Sequence, residues 1–287
     1  MRQPLGSMLL ALAALWTALA APPALAWGAF GHRTVAAIAW ANVRPQTRVR
    51  LADLLRQTRR LNTPECAVRT LADASTWADC VRKDGDRFHY ASRWHFQDED
   101  ICRPYDPQED CAGGNCVTAQ IERERKILSQ PGRPVGERVM ALMFLVHFVG
   151  DIHQPLHSAD HASDKGGNDL LVAGGQFDGF NMHELWDVEV AQAAINSAPH
   201  PLVRGYSDAD KARFGGGNAA DWGRESWDLA RGMVYPAALG GDPCRANAPR
   251  FAHFDQSALT HAAPVARTRI VQAGLRLARV LDEALGS

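Results

Sequence analysis

The sequence predicts a mostly α-helical protein built as one domain, and three observations carry that expectation. Apolar residues recur at three- and four-residue steps in eight segments, which is the period of a helix face. Strand signals are confined to two short stretches, 94–96 and 170–173. Turn-forming clusters fall between the periodic segments: Asn62-Thr-Pro-Glu65, the "GQFDGFN" that ends at Asn181, Phe214-Gly-Gly-Gly-Asn218 and Gly240-Gly-Asp-Pro243. No internal repeat and no linker marks a second domain.

Residues 1–26 stand apart from the fold. Arg2 supplies a positive start, 8–21 an apolar run, and Ala24-Leu25-Ala26 a small-x-small site, together the pattern of a secretory signal peptide. The mature domain is expected over 27–287. Nothing after Trp27 approaches the length of a membrane span, so the product is expected to be soluble, and secreted or periplasmic. Removing Arg2 from 31 basic residues leaves 30 against 32 acidic ones, a balance of −2. That excludes the cationic surplus of a protein held to nucleic acid by bulk charge. It does not exclude a polyanionic substrate, because bound cations would add charge outside this count.

The helical segments are 34–42, 46–60, 69–83, 117–129, 135–154, 183–195, 218–234 and 263–285. Between them, 98–116 and 196–217 read as surface loops long enough to carry function. The segment 135–154 is the most apolar, and Pro155 ends it because proline lacks a donor and disfavours helix in the residue before it. In the last segment Val265, Ile270, Leu277 and Leu281 face the body; Arg267, Arg269, Arg276 and Arg279 lie largely opposite and read as a solvated face. Trp222 and Trp227 read as core. Six cysteines, an even number in an exported chain, favour disulfides over thiolate ligands. Cys111 and Cys116 could close a small loop, and Cys66 with Cys80 and Cys102 with Cys244 are the other expected pairs, although sequence alone leaves the connectivity open.

With the thiols used up, a metal site would have to be built from histidine and aspartate, ligands that suit zinc. The stretch "MFLVHFVGDIHQPLH", 143–157, offers the first pair. Four residues apart on a helix, His147 and Asp151 share a face, while His153 lies roughly 200° round the axis and reads as structural. The turn after Pro155 frees His157 for a neighbouring site. His183 and Asp187 repeat the four-residue spacing, Asp79 has Arg82 one turn on, and His95 sits in the stretch read as extended. His32 follows the expected mature terminus by five residues, and cleavage there would give Trp27 a free amine of reference pKa about 8, a usable metal ligand. Such a count supplies three sites of three or four ligands if one carboxylate bridges.

These residues resemble a known family. Trp27-Gly-Ala-Phe-Gly-His32, Trp77-Ala-Asp79, Trp94-His95-Phe96, His147 to Asp151 with Gln154-Pro-Leu-His157, Gly166-Gly-Asn168 and Asn181-Met-His183 through Asp187 are similar, in order, to the motifs of the S1/P1 nucleases. The resemblance implies a mostly α fold of the type shared with zinc-dependent phospholipases C, with three Zn2+ at the bottom of a cleft. It assigns Asp79, His95, His147 and Asp151 to the first zinc and His157, His183 and Asp187 to the second. The third would take Trp27, through its amine and carbonyl, with His32 and a bridging Asp151. It implies that Asp79 positions or deprotonates the attacking water, that Arg82 stabilises developing charge, and that Phe96, Asp98 and Asn168 line a nucleobase pocket. The implied substrates are single-stranded DNA and RNA, cut to 5′-phosphorylated nucleotides, and 3′-nucleotides. No stable protein partner is implied, and a monomer is expected. His161 and Lys165 read as rim residues within reach of phosphate. A phospholipase C on the same scaffold is the alternative; that relative would carry Glu at Asp187 and lack Phe96 with Asp98. A non-catalytic secreted metal-binding protein is the other.

Overall fold

The computed structural model describes residues 27–83 and 85–286; the signal-peptide expectation falls on residues outside that range. Helices α1 (Ala29–Asn42) and α2 (Pro45–Leu55) open the chain, followed by the short α3 (Leu71–Ala74), α4 (Trp77–Val81) and α5 (Gly85–Phe88). Then come α6 (Val117–Leu128), α7 (Val135–Asp151), α8 (Met182–Leu185), α9 (Ala191–Asn196), α10 (Asp208–Phe214), α11 (Ala219–Leu229), α12 (Tyr235–Leu239) and α13 (Gln256–Leu285).

Helix α7 is the centre of the bundle. Every residue from Ala141 to Asp151 is buried, so the helix is enclosed on all sides, and apart from His147 and Asp151 that stretch is apolar. Phe144 and Phe148 stack at 5.3 Å on its flank, and Trp77 and Trp94 meet Phe144 edge-on at 5.2 and 5.4 Å. Truncating Trp77, Phe144 or Phe148, the fully buried rings of this group, is expected to remove about 3–5 kcal/mol. On the other side α1 lies along α13. Their approach depends on Gly274, where an added Cβ would stand 2.5 Å from Ile38. Asp255 caps α13 by accepting from the backbone nitrogen of Ala258, which starts the helix seven residues before the segment read from the sequence.

Four other expectations change. The stretch 94–96 is not a strand, because His89–His95 forms a 3-10 helix, and 170–173 makes only isolated bridges, Leu171 to Asn181 and Val172 to Ala252. The expected helix 69–83 is two short helices: Thr70 and Asp73 form a capping box that starts the four-residue α3, and the chain breaks before α4 begins at Trp77. The loop 196–217 contains α10, started by Ser207 accepting from Asp210. Arg269 and Arg276 are not solvated: they are 2 % and 4 % exposed. Trp222 and Trp227 are core as expected. The disulfides join Cys66 to Cys80, Cys102 to Cys244 and Cys111 to Cys116, the three expected pairs. The first ties α4, and with it Asp79, to the turn at Pro64–Cys66.

Candidate metal centre

Four separate pieces of chain bring their polar side chains to the C-terminal end of α7. His147 and Asp151 come from α7 itself, Asp79 from α4, His95 from the end of the 3-10 helix and His32 from α1. The His147 Nε2 lies 3.2 Å from Asp151 Oδ2 and 3.6 Å from Asp79 Oδ1. His95 Nδ1 is 3.0 Å from His147 Nε2 and 3.1 Å from Asp151 Oδ2. The second oxygen of Asp151 turns the other way, 3.2 Å from His32 Nε2. One carboxylate therefore faces two groups of ligands, the geometry of a bridge.

The third group stands beyond the turn at Pro155. His157 and His183 approach at 3.0 Å through their Nε2 atoms, and His183 Nε2 is 3.5 Å from Asp187 Oδ2. Asp187 lies in a π-helical turn, Trp186–Val190, that continues α8; such turns recur at functional sites. Its Oδ1 accepts from Gln154 Nε2 at 2.7 Å and from the backbone nitrogen of Trp27 at 3.2 Å. Oδ2 is left as the oxygen facing the histidines. Gln154 is a residue whose role sequence reasoning missed. Its only sequence signal is its place between Asp151 and His157; its burial and its bond to Asp187 appear only in the fold.

A fit test for cations comes from the hydrogen bonds. His147, His157 and His183 each donate from Nδ1 to a backbone carbonyl, of Ser75, His95 and Gly166 respectively, at 2.7–2.8 Å. These bonds fix the tautomers and leave a lone pair on each Nε2, the arrangement of metal-binding imidazoles. At His157 and His183 the two lone pairs then meet with no proton between them. Burial and the neighbouring imidazole take His157 down to about 3, and burial takes His183 to about 4, so neither ring supplies a proton at neutral pH. Buried atoms without any hydrogen-bond partner include both ring nitrogens of His32, Asp79 Oδ1, His95 Nε2, Asp151 Oδ1 and Asp187 Oδ2. Burial pushes the Asp187 carboxyl well above the usual range, an acid short of positive charge. His147 shows the same need differently: burial lowers it, but Asp151 and Asp79 outweigh burial and raise it to about 9. Within each of three sets the candidate ligand atoms lie within 4.8 Å of one another: His32, His147 and Asp151; Asp79, His95 and His147; His157, His183 and Asp187. The residues fit divalent cations.

Glycine makes room for this centre at two places. A Cβ at Gly150 would sit 2.6 Å from His32 Nδ1, and one at Gly166 would sit 2.3 Å from the Leu156 carbonyl oxygen. Gly166 also has φ 62°, so no other residue easily delivers its carbonyl to His183.

The family described as S1/P1 nuclease matches residues 27–286. The chain belongs to the S1/P1 nuclease family. It is 29% identical to Nuclease S1 of Aspergillus oryzae over 89% of this chain and 91% of the relative. It is 27% identical to Endonuclease 2 of Arabidopsis thaliana, with 95% of each chain covered, and 32% identical to Nuclease P1 of Penicillium citrinum over 59% of this chain and 60% of the relative. As a family member it is a zinc-dependent phosphodiester hydrolase, a single-strand nuclease.

Around the centre, the other residues that S1/P1 resemblance singled out are placed as follows. Arg82 Nη1 is 3.6 Å from Asp79 Oδ1 and the side chain is partly open to solvent. Phe96 is half-buried, with the Arg93 guanidinium 5.4 Å from its ring centroid. Asp98 follows, its backbone nitrogen donating to Asp110 at 2.8 Å, its own carboxyl raised to about 7 by burial and by Asp110 and Asp160. Asn168 spends its side-chain nitrogen on the Lys165 carbonyl, and among the described residues no hydrogen bond or ring contact joins it to Phe96 or Asp98. His161 donates to the Pro243 carbonyl at 2.9 Å, and Lys165 pairs with Asp169; neither is an idle rim charge. No helix among the described residues is long and apolar enough to cross a membrane.

Proposed function

We propose that the chain is an exported nuclease that hydrolyses single-stranded DNA and RNA to 5′-phosphorylated nucleotides and also removes phosphate from 3′-nucleotides, using three Zn2+. The observation that carries this reading is the set of buried, unpartnered carboxylate and imidazole atoms that face one another across the end of α7. Asp79, His95, His147 and Asp151 hold one ion. His157, His183 and Asp187 hold another. His32 and Asp151, with the amine and carbonyl of Trp27, hold the third. Held there, such ions would supply water activation and charge stabilisation for an in-line displacement at phosphorus.

The chain's own groups do the rest. Asp79 accepts a proton from, or orients, the attacking water, with its free Oδ1 aimed into the centre. Arg82, one turn on and held beside Asp79, places its guanidinium where charge grows on the phosphoryl oxygens. Phe96 takes the base of the nucleotide on one face, a contact that tolerates any base, and Asp98 with Asn168 supplies polar edges to the same pocket. Asp187, and Phe96 followed by the carboxylate of Asp98, favour nucleic acid over phospholipid.

The test uses the zinc-loaded chain beginning at Trp27 on denatured DNA, duplex DNA and phosphatidylcholine vesicles, with products identified by mass. Release of 5′-phosphorylated nucleotides from denatured DNA, stopped by chelation and restored by zinc, is expected. Diacylglycerol release with intact DNA would refute the reading. One residue added before Trp27 should lower activity by displacing its nitrogen; full activity of that extended chain would remove Trp27 from the ligand set.

A further inference from the structure

The stretch from Arg87 to Trp94 leads up to His95 of the centre, and none of its own side chains belongs to that centre. Along it, arginines and rings are stacked in pairs: Arg87 lies 4.8 Å from the centroid of Phe88, and Arg93 covers Phe96. Tyr90 meets Trp94 edge-on at 5.0 Å, and Arg123 reaches across from α6 to lie 5.3 Å from the Trp94 ring. A groove of about 680 Å³ opens beside these two rings. Ile127, Met140 and Phe144 form its apolar side, and Arg123, Lys126 and Arg133 edge it.

A lone exposed aromatic residue needs no explanation. This one has more around it. Tyr90 is 50% exposed, and among the described residues its hydroxyl hydrogen-bonds only to Met140 Sδ, at 3.9 Å, a weak acceptor. The two acids of the groove are already taken, Glu124 by Arg123 and Glu137 by Arg133. Among the described residues Lys126 has no acidic partner, so the groove keeps an uncommitted cation next to an open ring face. Ring faces flanked by cations are what a single strand needs, because every base has a face to stack and every nucleotide a phosphate. The position suits a strand already engaged by the centre. At about 2 Å per residue of 3-10 helix, Tyr90 lies about 10 Å along the axis from His95. About three stacked nucleotides, at about 3.4 Å each, cover that distance.

We propose that this groove is an outlying nucleotide subsite, in which a base some three nucleotides from the bond being cut stacks on Tyr90 while a neighbouring phosphate rests against Lys126 and Arg123. It rests on the reading of the chain as a single-strand nuclease and adds to it a preference for longer strands. Dinucleotides reach only the centre and Phe96; longer strands also reach Tyr90.

The experiment compares kcat/KM on a dinucleotide and on a single-stranded dodecamer for the zinc-loaded chain and its Tyr90→Ala, Tyr90→Phe and Lys126→Ala variants. Tyr90→Ala is expected to lose roughly tenfold on the dodecamer and nothing on the dinucleotide. Tyr90→Phe should keep most of the dodecamer rate. Lys126→Ala should weaken the salt dependence of dodecamer cleavage by about one phosphate contact. An unchanged dodecamer rate in Tyr90→Ala, or an equal loss on both substrates, overturns the subsite. If the parent chain cleaves neither substrate, the nuclease reading has failed, and equilibrium binding of a phosphorothioate dodecamer then decides the subsite alone. Weaker binding by Tyr90→Ala sustains it, and equal binding removes it.

Discussion

Two buried polar clusters meet the end of α7 from opposite sides, and they deal with buried charge in opposite ways. On one side stand His32, Asp79, His95, His147 and Asp151, with several atoms that nothing in the chain satisfies. On the other stands His153, two residues past Asp151. It donates to the Val149 carbonyl and lies 2.9 Å from Arg276. Arg276 makes a two-armed pair with Glu225 at 2.6 and 2.8 Å. Arg269 bonds to Glu225, Gln272, Ser226 and the carbonyls of Trp222 and His153. Only Arg276 Nε is left over there. The second cluster is closed by its own counter-ions and acts as a structural joint between α7, α11 and α13. Nothing in the chain closes the first, and this difference is what marks it, rather than the second, as the candidate for cations.

The sharpest way to break this comparison is Asp151→Asn, which removes the carboxylate that faces two ligand groups. Nuclease activity should fall by roughly 10³-fold, with bound zinc reduced in elemental analysis and helical content retained. A variant with normal zinc would mean that Asp151 is not a bridge. Next comes Arg269→Met, which strips a buried, multiply bonded cation and leaves Glu225 and the carbonyls short of donors. Breaking such a pair is expected to cost about 3–5 kcal/mol in denaturant unfolding, while activity per folded molecule stays near that of the parent. Activity that falls together with zinc content would show the two clusters to be one.

Chelation separates them from the ligand side. Ions that bind only the folded chain stabilise it by about 2.7 kcal/mol at a hundredfold excess over Kd, so the thermal midpoint should drop on zinc removal. Arg276→Met should show the same drop, and Asp151→Asn a much smaller one. The smallest effect belongs to Glu99, a buried acid with one oxygen held by Gln97 and the other unpartnered. It has neither ion nor arginine, and burial raises it from 4.5 to about 7. Its contribution is therefore whole below about pH 4.5 and is lost as the pH rises through about 7. Glu99→Gln should be nearly neutral at pH 4 and stabilise by about 2 kcal/mol at pH 8, read from unfolding curves at both pH values.

The helical His/Asp pairs were legible because a four-residue interval translates directly into a shared face. His147 with Asp151 and His183 with Asp187 needed no tertiary knowledge, and the same holds for Trp222 and Trp227 as core. What was illegible depends on partners distant in sequence. Arg269 and Arg276 read as solvated because charge on a helix usually is, and their counter-ion lies 44 and 51 residues away on α11. His95 was placed in an extended stretch; alternating rings and polar residues look like a strand, but the chain there winds as a 3-10 helix over the aromatic flank of α7. Gln154 has no spacing signature at all, because what it holds, Asp187, comes from another element.

The tight seat of His32 against α7 has a consequence for anyone diversifying this scaffold. Position 150 binds nothing, carries no charge and lies in the most regular helix of the chain, so a randomisation scheme that spares only ligands would treat it as free. It is closed to every side chain, since the first carbon of any of them would occupy the imidazole's place.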